Sequence, residues 1–243
     1  MNILKNLYNL KNRTAVITGA SGHLAEKISL ILADLGANLI LVSRSHSYQN
    51  KYDKKLAYLY PDIKIKKIIC DLSSKKSRNF LIKKLNKEKI SILINNATYK
   101  ENNLVGYASK FKKQNLNKWK SSLEVNLISV FHLSQGLYKN LTNSGNATII
   151  NISSIYGVYK PDWKIYKGTN LGNSSAYASA KGGLIQLTKW MSSTLAPKVR
   201  VNCISPGGII RGQPKKFINS YKNKTLLGRM AKEEDFKGII AYL

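Results

Sequence analysis

Residues 14–25 of the chain read TAVITGASGHLA, and three features follow one another in this segment. Residues 14–18 are mostly apolar and include β-branched side chains, which predicts a buried strand. A glycine-containing turn comes next and leads into a predicted helix. In that arrangement, backbone N–H groups and the positive end of the helix dipole can approach a phosphate. The segment therefore predicts the first strand, turn and helix of a nucleotide-binding α/β sheet.

The predicted helix after this turn should bury one face against the sheet. Leu24, Ile28, Ile31 and Leu35 recur at the spacing of a single helical stripe. Gly36 follows this stripe directly and predicts the end of the helix.

Further along the chain, short β-rich runs alternate with helical patterns. Several runs are almost continuously apolar, as expected of parallel strands that helices cover on both faces. Two longer helices are predicted, from about Leu116 to Leu141 and from about Ala176 to Leu195, where Pro197 ends the second. No linker is evident, so we predict one domain over residues 1–243 with a three-layer, doubly wound Rossmann fold and a mainly parallel sheet. The predicted strands are Ala15–Thr18, Asn38–Val42, Ile65–Cys70, Ile92–Ile94, Thr148–Ile152 and Val199–Cys203.

The chain is strongly basic, with 40 Lys and Arg against 12 Asp and Glu and a formal net charge of +28. Such a charge raises the question of a nucleic-acid partner. The lysines are scattered along the chain, however, and no nucleic-acid-binding motif accompanies them. We interpret the charge as a solvated surface that could also attract acidic substrates, and we expect no specific nucleic-acid partner.

The remaining composition indicates a cytoplasmic protein. Cys70 and Cys203 each end an apolar run and lack the spacing of metal ligands, so we interpret them as core residues and expect no metal. Residues 1–13 do not have the pattern of a secretory signal. The longest apolar stretch, Ile28 to Val42, is interrupted by polar residues and is too short to span a bilayer, so we expect no membrane partner.

Ligands of such sheets bind at the carboxyl ends of the strands, and the residues there indicate a cofactor. The second strand is followed by Ser43, Arg44 and Ser45 with no carboxylate at its end. An acidic residue in this place binds the ribose hydroxyls of NAD, whereas an arginine accommodates the extra phosphate of NADP. We therefore expect NADP, with NAD possible, although Arg44 could also be an ordinary surface arginine.

Three other strand ends carry residues suited to a nucleotide. Asp71 could accept a hydrogen bond from an adenine amino group or could cap the next helix. Asn95, Asn96 and Ala97 follow the fourth strand, where asparagine side chains can bridge backbones. Residues 205–208 (SPGG) form a predicted tight turn that could read a nicotinamide carboxamide.

A tyrosine, a lysine and a serine form the candidate catalytic group. Tyr177 and Lys181 are four residues apart on a predicted helix and therefore share one face. A neighbouring ammonium is expected to lower the pKa of the tyrosine, so that it can exchange a proton with a substrate oxygen. Ser154, after the fifth strand, could bind the same oxygen.

Taken together, these motifs resemble those of the short-chain dehydrogenase/reductase family over about residues 12 to 240. The resemblance implies that Tyr177 is the general acid/base, that Lys181 tunes it and binds the nicotinamide ribose, and that Ser154 orients the substrate. It also implies that Asn126 holds a water in a proton relay, and that the protein is a homodimer or homotetramer. The predicted cofactor contacts are Gly19, Ser21, Gly22, His23, Leu24, Ser43, Arg44, Asp71, Leu72, Asn96, Ala97, Tyr177, Lys181, Pro206, Gly207 and Ile209.

The sequence departs from the family pattern at several places. His23 and Ala25 stand where the first loop usually has glycines, and Thr98 replaces a further glycine. Arg211 lies near the position of a threonine that usually contacts phosphate. The family continues into a last strand beyond the helix at residues 233–243, so we expect that strand to be missing and the chain to be truncated at its carboxyl end.

The segment between Ser154 and Tyr177 is longer than usual in the family, and the insertion contains Pro161–Thr169. We expect it to cover or select the substrate, with a tolerated surface insertion as the alternative. Together with Asn173 and residues 203–206, it resembles members linked to bacterial surface-sugar and flagellin modification, including nonulosonic acid synthesis.

These expectations lead to one main hypothesis and two alternatives. The main one is an NAD(P)(H)-dependent oxidoreductase that acts on a hydroxyl or carbonyl group of a polar, sugar-derived metabolite. The first alternative is a 3-oxoacyl-carrier-protein reductase, whose acidic carrier the basic surface would suit. The second is a catalytically silent homologue that binds a nucleotide or a nucleic acid.

Overall fold

The computed structural model of the protein describes residues 7–45, 49–99 and 111–243. Its strands form one sheet, in which every described pairing is parallel. The strands are β1 (Thr14–Thr18), β2 (Asn38–Ser43), β3 (Ile65–Ile69), β4 (Ile92–Asn95), β5 (Ala147–Ile152) and β6 (Val199–Ile204). They lie in the order β3-β2-β1-β4-β5-β6. The predicted doubly wound α/β fold is confirmed. The strands β2 and β3 lie on one side of β1, and β4, β5 and β6 lie on the other.

Helices connect the strands. The described α-helices are α1 (His23–Asp34), α2 (Gln49–Leu59), α3 (Lys75–Leu85), α4 (Leu116–Leu123), α5 (Ser129–Gly136), α6 (Tyr138–Thr142), α7 (Ser175–Leu195), α8 (Lys215–Lys222) and α9 (Lys237–Tyr242). None of them combines the length and the apolar character that crossing a bilayer requires.

Two hydrophobic cores lie on opposite faces of the sheet, which gives the fold its three layers. Along β1, Ala15 and Ile17 point into one core, where they meet Ile28 of α1. Val16 points into the other core with Leu81 of α3 and side chains from α5 and α7. Because side chains alternate across a strand and both faces are covered, the central strands have to be apolar throughout.

The face of α1 was predicted only in part. Ile28 is buried as expected, whereas Ile31 is only partly buried, and the neighbouring Leu32 occupies the core. Gly36 ends this region with a φ of +93°, a conformation that glycine adopts without strain. The predicted helix stop is therefore where the structure places it.

The single long helix predicted from Leu116 to Leu141 is wrong in one respect, because the chain there is interrupted. A π-helical turn at Glu124–Ile128 separates α4 from α5, and the helix breaks again at Leu137. The side chain of Asn126 lies within the π turn and is buried. Such turns insert one extra residue and are often found at functional sites, where they redirect a side chain.

Buried hydrogen bonds hold the carboxyl ends of two central strands against α7. The side-chain amide of Asn95 donates to the side-chain oxygen of Asn151 at 2.9 Å, and the amide of Asn151 donates to the Thr188 hydroxyl at 2.9 Å. This series joins β4, β5 and the helix that carries Tyr177. It fixes the part of the sheet where the candidate catalytic residues lie.

A buried arginine on α3 was not anticipated from the sequence. Arg78 is 2% exposed and forms an ion pair of 2.6 Å with Glu124 at the start of the π turn. It also donates from Nε to Nδ1 of His132 at 2.9 Å and from Nη1 to the carbonyl of Leu72 at 2.5 Å. Burial, followed by the charge of Arg78, lowers the pKa of His132, which suits a neutral ring that accepts this bond. Arg78 thus joins the segment after β3 to the π turn.

We expect the substitution Arg78→Ala to lower the free energy of unfolding by about 3 kcal/mol, because it leaves the Leu72 carbonyl and the partly buried Glu124 and His132 without their donor. Urea unfolding measures this change. Lys83→Ala on the same helix removes an exposed cation and is the matched control, expected within about 0.5 kcal/mol of the parent protein. Equal losses in the two variants would contradict a structural role for the Arg78 cluster.

Candidate active site

A cleft of about 380 Å³ opens at the carboxyl ends of the strands. Every residue predicted as a cofactor contact lines this cleft, from Gly19 at the first turn to Ile209 after β6. Ser154 lines it as well, whereas Asn126 lies behind it. The structure therefore brings the strand-end motifs together, because the carboxyl ends of parallel strands lie at the same edge of the sheet.

The turn after β1 is held against the end of β4. The side-chain amide of Asn96 donates to the carbonyls of Thr18 and Gly19, at 3.1 and 3.3 Å. The Thr18 hydroxyl accepts from the backbone N–H groups of Asn96 and Ala97, at 3.0 and 3.2 Å, and donates to the carbonyl of Ile94 at 3.2 Å. Asn96 therefore bridges two backbones, as its residue type suggested.

Gly19 is required by the same contact. Its φ is +65°, and a Cβ atom built on it would lie 2.7 Å from the Cα of Ala97. Both the conformation and the space exclude a side chain, so the turn can approach β4 only with glycine in this position.

The start of α1 completes this end of the cleft. Gly22 is the N-cap of the helix and has no side chain to cap it, and its own N–H donates to the carbonyl of Gly19 at 3.0 Å. His23, the first helical residue, is exposed on the rim, whereas Leu24 and Ala25 are buried. Side chains fit at these two positions, where the family usually has glycine, because that of His23 is exposed and that of Ala25 is small and buried.

On one side of the β1 turn, the cleft contains residues at and after the ends of β2 and β3. Arg44 is exposed on the rim, and the hydroxyl of Ser43 donates to the carbonyl of Ser45 at 2.9 Å. The carboxylate of Asp71 accepts from the N–H and the hydroxyl of Ser73, at 3.0 and 2.8 Å. Ser74 is the N-cap of α3, so the suggestion that Asp71 caps this helix is wrong.

The three candidate catalytic side chains meet in the cleft beside the end of β5, on the other side of the β1 turn from β2 and β3. Ser154 and Lys181 are 6% and 3% exposed, and the ammonium of Lys181 lies 5.7 Å from the ring centroid of Tyr177. A side-chain hydrogen bond links Ser154 to Tyr177. The Nζ of Lys181 donates to the carbonyl of Ile152 at 2.6 Å. Ser153 ties the same helix to the sheet by donating to the carbonyl of Lys181 at 2.8 Å.

The pKa values of this group are set mainly by burial. Burial raises the pKa of Tyr177, while the hydrogen bond from Ser154 and the charge of Arg211 act in the opposite direction. Burial lowers the pKa of Lys181 to about 8. The expected lowering of the Tyr177 pKa by Lys181 is not found, because the desolvation of the phenol outweighs the favourable interactions and the ammonium is directed at a carbonyl.

Asn126 supports the site from behind. Its side-chain oxygen accepts from the Thr98 hydroxyl at 3.0 Å and from the N–H of Tyr99 at 3.2 Å, and its amide donates to Ser122 at 3.0 Å. Thr98, which stands where the family has glycine, is held by this bond. The structure thus shows Asn126 fixing the segment after β4, and its suggested role in a water relay stays a prediction.

The segment after β6 closes the cleft on a third side. Pro206, Gly207, Ile209 and Arg211 line it. Arg211, which we considered as a substitute for a phosphate-binding threonine, forms an ion pair of 2.7 Å with Glu233 at the cleft rim.

A second cavity of about 540 Å³ adjoins the cleft and shares Ser154 and Tyr177 with it. Six of its fifteen lining residues are tyrosine or phenylalanine, and we call it the aromatic cavity. Its other lining residues are Thr98, Tyr99, Ile155, Tyr156, Tyr166, Gly172, Asn173, Gly207, Gly208, Gln213, Phe217, Tyr221 and Met230. The cavity was not predicted, because its walls come from segments distant in sequence.

The insertion at Pro161–Thr169 supplies one wall of this cavity. Ile165 and Tyr166 are buried and pack with Phe217 and Tyr221 of α8 in a small separate core. The hydroxyl of Tyr221 in turn accepts from the N–H of Gly208 at 2.5 Å. The insertion is therefore packed into the protein beside Ser154, which favours the substrate-covering role over a loose surface loop.

Comparison with known proteins gives a consistent picture. The family model "short chain dehydrogenase" matches residues 13–216. A 3-oxoacyl-[acyl-carrier-protein] reductase from Rickettsia typhi is 30% identical, over 98% of this chain and 91% of the relative. A tropinone reductase homologue from Arabidopsis thaliana is 28% identical, over 97% of this chain and 86% of the relative. The crystal structure of a short chain dehydrogenase from Leptospira borgpetersenii with bound NAD+ is 28% identical and has a TM-score of 0.81, with 100% of this chain and 88% of that chain covered.

We expect Gly19→Ala to raise the dissociation constant for NADPH at least tenfold and to destabilise the protein by about 1–3 kcal/mol. The added Cβ would meet the backbone of Ala97 and separate the turn from β4. Fluorescence titration and thermal unfolding measure the two effects.

Gly145→Ala is a matched control for this variant. Gly145 has a φ of +64°, nearly that of Gly19, but nothing lies within 4 Å of its Cβ position. This variant should show the conformational strain without the loss of NADPH affinity. Unchanged NADPH affinity in Gly19→Ala would show that the close approach of the turn to β4 is not needed for the cofactor.

Proposed function

Because the chain belongs to the short chain dehydrogenase family, we propose that it is a single-domain, NAD(P)(H)-dependent oxidoreductase. It transfers hydride between the nicotinamide and a hydroxyl or carbonyl group of a polar small molecule. The observation that carries this proposal is the position of Ser154 and Tyr177 at the junction of the cleft and the aromatic cavity, with Lys181 lining the cleft beside them. A substrate in the cavity would have its reacting carbon beside the part of the cleft that suits a nicotinamide.

The residues of the cleft fit a dinucleotide. Gly19 lets the turn lie against β4, and Gly22 begins α1 without a side chain. A phosphate group would lie at the N-terminus of α1, where the helix dipole favours negative charge. Asp71 and Leu72 would hold the adenine, and Pro206 and Gly207 the nicotinamide. When bound, the nicotinamide supplies or accepts the hydride.

The chain supplies the proton. In the direction of carbonyl reduction, the Ser154 hydroxyl donates a hydrogen bond to the carbonyl oxygen, and Tyr177 transfers its proton to that oxygen as it gains charge. We propose that the charge of Lys181, whose ammonium lies 5.7 Å from the ring centroid of Tyr177, acts on the phenolate once the proton has left. In the reverse direction the same tyrosine takes the proton from a substrate hydroxyl.

We propose NADP(H) as the preferred cofactor. The supporting features are the exposed Arg44 on the cleft rim and the absence of a carboxylate within residues 42–45. An arginine can form a bidentate contact with a phosphate. The NAD+ bound to the Leptospira relative shows that family members of this similarity can take the other cofactor.

For the substrate, two classes remain in competition. The aromatic cavity with its hydroxyl and amide groups favours a neutral, sugar-derived carbonyl compound. The similarity to the reductase from Rickettsia typhi favours a 3-oxoacyl thioester on an acidic carrier, which the net charge of +28 would attract. The surface-sugar pathways suggested by the insertion stay part of the first alternative.

We also propose that the protein assembles as a homodimer or homotetramer through α5 and α7. Ile128, Phe131 and Tyr138 are 43%, 42% and 37% exposed near one another along the α5 region, and Trp190 of α7 is 56% exposed. Large apolar side chains that stay exposed in a group commonly mark an interface.

We expect Tyr177→Phe to lower kcat at least a hundredfold and to leave NADPH affinity within about threefold, because only the transferable proton is lost. The assay follows NADPH oxidation with a panel of keto-sugars and 3-oxoacyl thioesters. Tyr58→Phe, at an 86% exposed position, is the control and should be fully active. Tight NADPH binding without turnover of either substrate class would instead support a catalytically silent protein.

We expect Arg44→Ala to weaken NADPH binding about tenfold while NADH binding changes little, since a charge-assisted contact to a phosphate contributes about 1.5–3 kcal/mol. Titrations with both nucleotides measure the ratio of affinities. Arg200→Ala is the control. It removes an exposed arginine near the amino end of β6, whereas the cleft lies at the carboxyl ends of the strands, and it should leave the ratio of affinities unchanged. Tighter binding of NADH than of NADPH by the parent protein would overturn the proposed preference.

A further inference from the structure

Two tyrosine hydroxyls face one another on the wall of the aromatic cavity. Tyr156 belongs to the short 3-10 turn that follows Ser154, and Tyr166 belongs to the insertion. Their hydroxyl groups form a hydrogen bond with each other, and both residues line the cavity that Ser154 and Tyr177 also line. The pair therefore lies in the same cavity as the reacting group but is not part of the proton-transfer machinery.

The ring of Tyr166 is fixed by its neighbours. It is 8% exposed, and its ring centroid lies 5.9 Å from that of Trp163 and 5.4 Å from that of Phe217. Phe217 packs in turn on Tyr221, whose hydroxyl accepts from the N–H of Gly208. A hydroxyl held in this way is preorganised, so that a ligand would not have to order it on binding.

The hydrogen bond between the two hydroxyls leaves capacity for a ligand. One hydroxyl donates to the other, and the accepting hydroxyl keeps its own proton to donate. Burial raises the pKa of both tyrosines, so both remain neutral donors at physiological pH. The pair can therefore donate to one ligand oxygen and accept from its hydroxyl proton.

The rest of the cavity determines which oxygen suits this pair. Among the described residues that line it, none is an Asp, Glu, Lys or Arg. Asn173, which is 6% exposed, and Gln213 add amide groups. A carboxylate or phosphate would find no opposite charge there, and an alkyl chain against the pair would leave a buried donor without a partner, which costs about 1–3 kcal/mol. A neutral hydroxyl group satisfies both requirements.

We propose that the Tyr156–Tyr166 hydroxyl pair determines substrate specificity, and that it binds a hydroxyl group of a neutral, hydroxylated carbonyl compound at a carbon other than the reacting one. This inference rests on the proposed oxidoreductase function, and it selects the hydroxylated substrate class over the acyl thioester. The inserted segment, which contains Tyr166, would then take part in recognising the substrate.

The test compares two ring ketones of similar size, 4-hydroxy-4-methylcyclohexanone and 4,4-dimethylcyclohexanone. Their dissociation constants are measured by saturation-transfer NMR with the full chain and saturating NADP+, which can neither reduce a ketone nor oxidise a tertiary hydroxyl group. The parent protein should bind the hydroxylated ketone about tenfold more tightly, and the double variant Tyr156→Phe/Tyr166→Phe should lose this preference. A tenfold ratio corresponds to about 1.4 kcal/mol, within the range of a buried hydrogen bond and its unsatisfied donor.

Two further variants separate recognition from packing. Tyr159→Phe, at a 70% exposed position, should keep the preference. Tyr166→Phe alone retains one hydroxyl and should show an intermediate ratio, and it serves in place of the double variant if that variant unfolds. A purely structural pair would change the binding of both ketones equally and leave their ratio as in the parent protein, which would overturn the proposal. An equal affinity of the parent protein for the two ketones would overturn it as well.

The outcome for the proposed function is read separately. NADPH oxidation with each ketone reports on catalysis, whereas the ratio of dissociation constants reports on the hydroxyl pair. If the binding preference depends on the pair but neither ketone is turned over, the result contradicts the proposed oxidoreductase activity and supports the hydroxyl-binding site. If both ketones are turned over but the double variant leaves the ratio of their dissociation constants unchanged, the result supports the oxidoreductase activity and contradicts the role of the hydroxyl pair.

Discussion

The hydrogen bonds among Asn95, Asn151 and Thr188 are the constraint on which the rest of the site depends. They join the carboxyl ends of two neighbouring parallel strands to the long helix α7, all within the buried part of the protein. Because Ser154 follows one of these strands and Tyr177 lies on that helix, their separation is set by this connection. Among the described residues the buried side-chain oxygen of Asn95 has no hydrogen-bond partner, but the two bonds that are made in this buried region restrict how the strands and the helix can be arranged.

The few acidic residues are used where a cation has to be held. Glu124 pairs with the buried Arg78, and the adjacent residues Glu233, Glu234 and Asp235 pair with cations from three different parts of the chain. The exposed pairs contribute little to stability one by one, whereas the buried pair is costly to break. Most of the lysines that the structure describes lie on the surface, where their mutual repulsion is screened by salt.

The fold could be predicted from the sequence because its signals are local. The central strands β1, β2 and β4 are short, mainly apolar runs, and the turn after β1 shows its role by the glycine at position 19 and its place before a helix. The π turn around Asn126 could not be predicted, since an apolar periodicity of the α-helical kind continues through it. Arg78 was missed for a related reason, because a lysine-rich helix gives no sign that one of its cations faces inward.

The candidate site was predictable to a different extent at its two ends. Side chains at strand ends are positioned by the parallel sheet, so many residues of the cleft could be named from the ends of the strands, whereas Tyr177 and Lys181 were recognised by their spacing on a helix. The cavity walls depend on how the insertion at Pro161–Thr169 packs against α8, two segments that are far apart in sequence. The presence of an insertion could be recognised, whereas its partner could not.

Burial also decides which protonation states the catalytic pair adopts. Desolvation disfavours the charged form of each group, so it raises the pKa of Tyr177 and lowers that of Lys181 to about 8. At neutral pH the tyrosine therefore carries its proton, and the lysine still carries most of its charge. A protonated phenol is the form that can give a proton to a carbonyl oxygen, so burial keeps Tyr177 in the form that the proposed reduction of a carbonyl group would use.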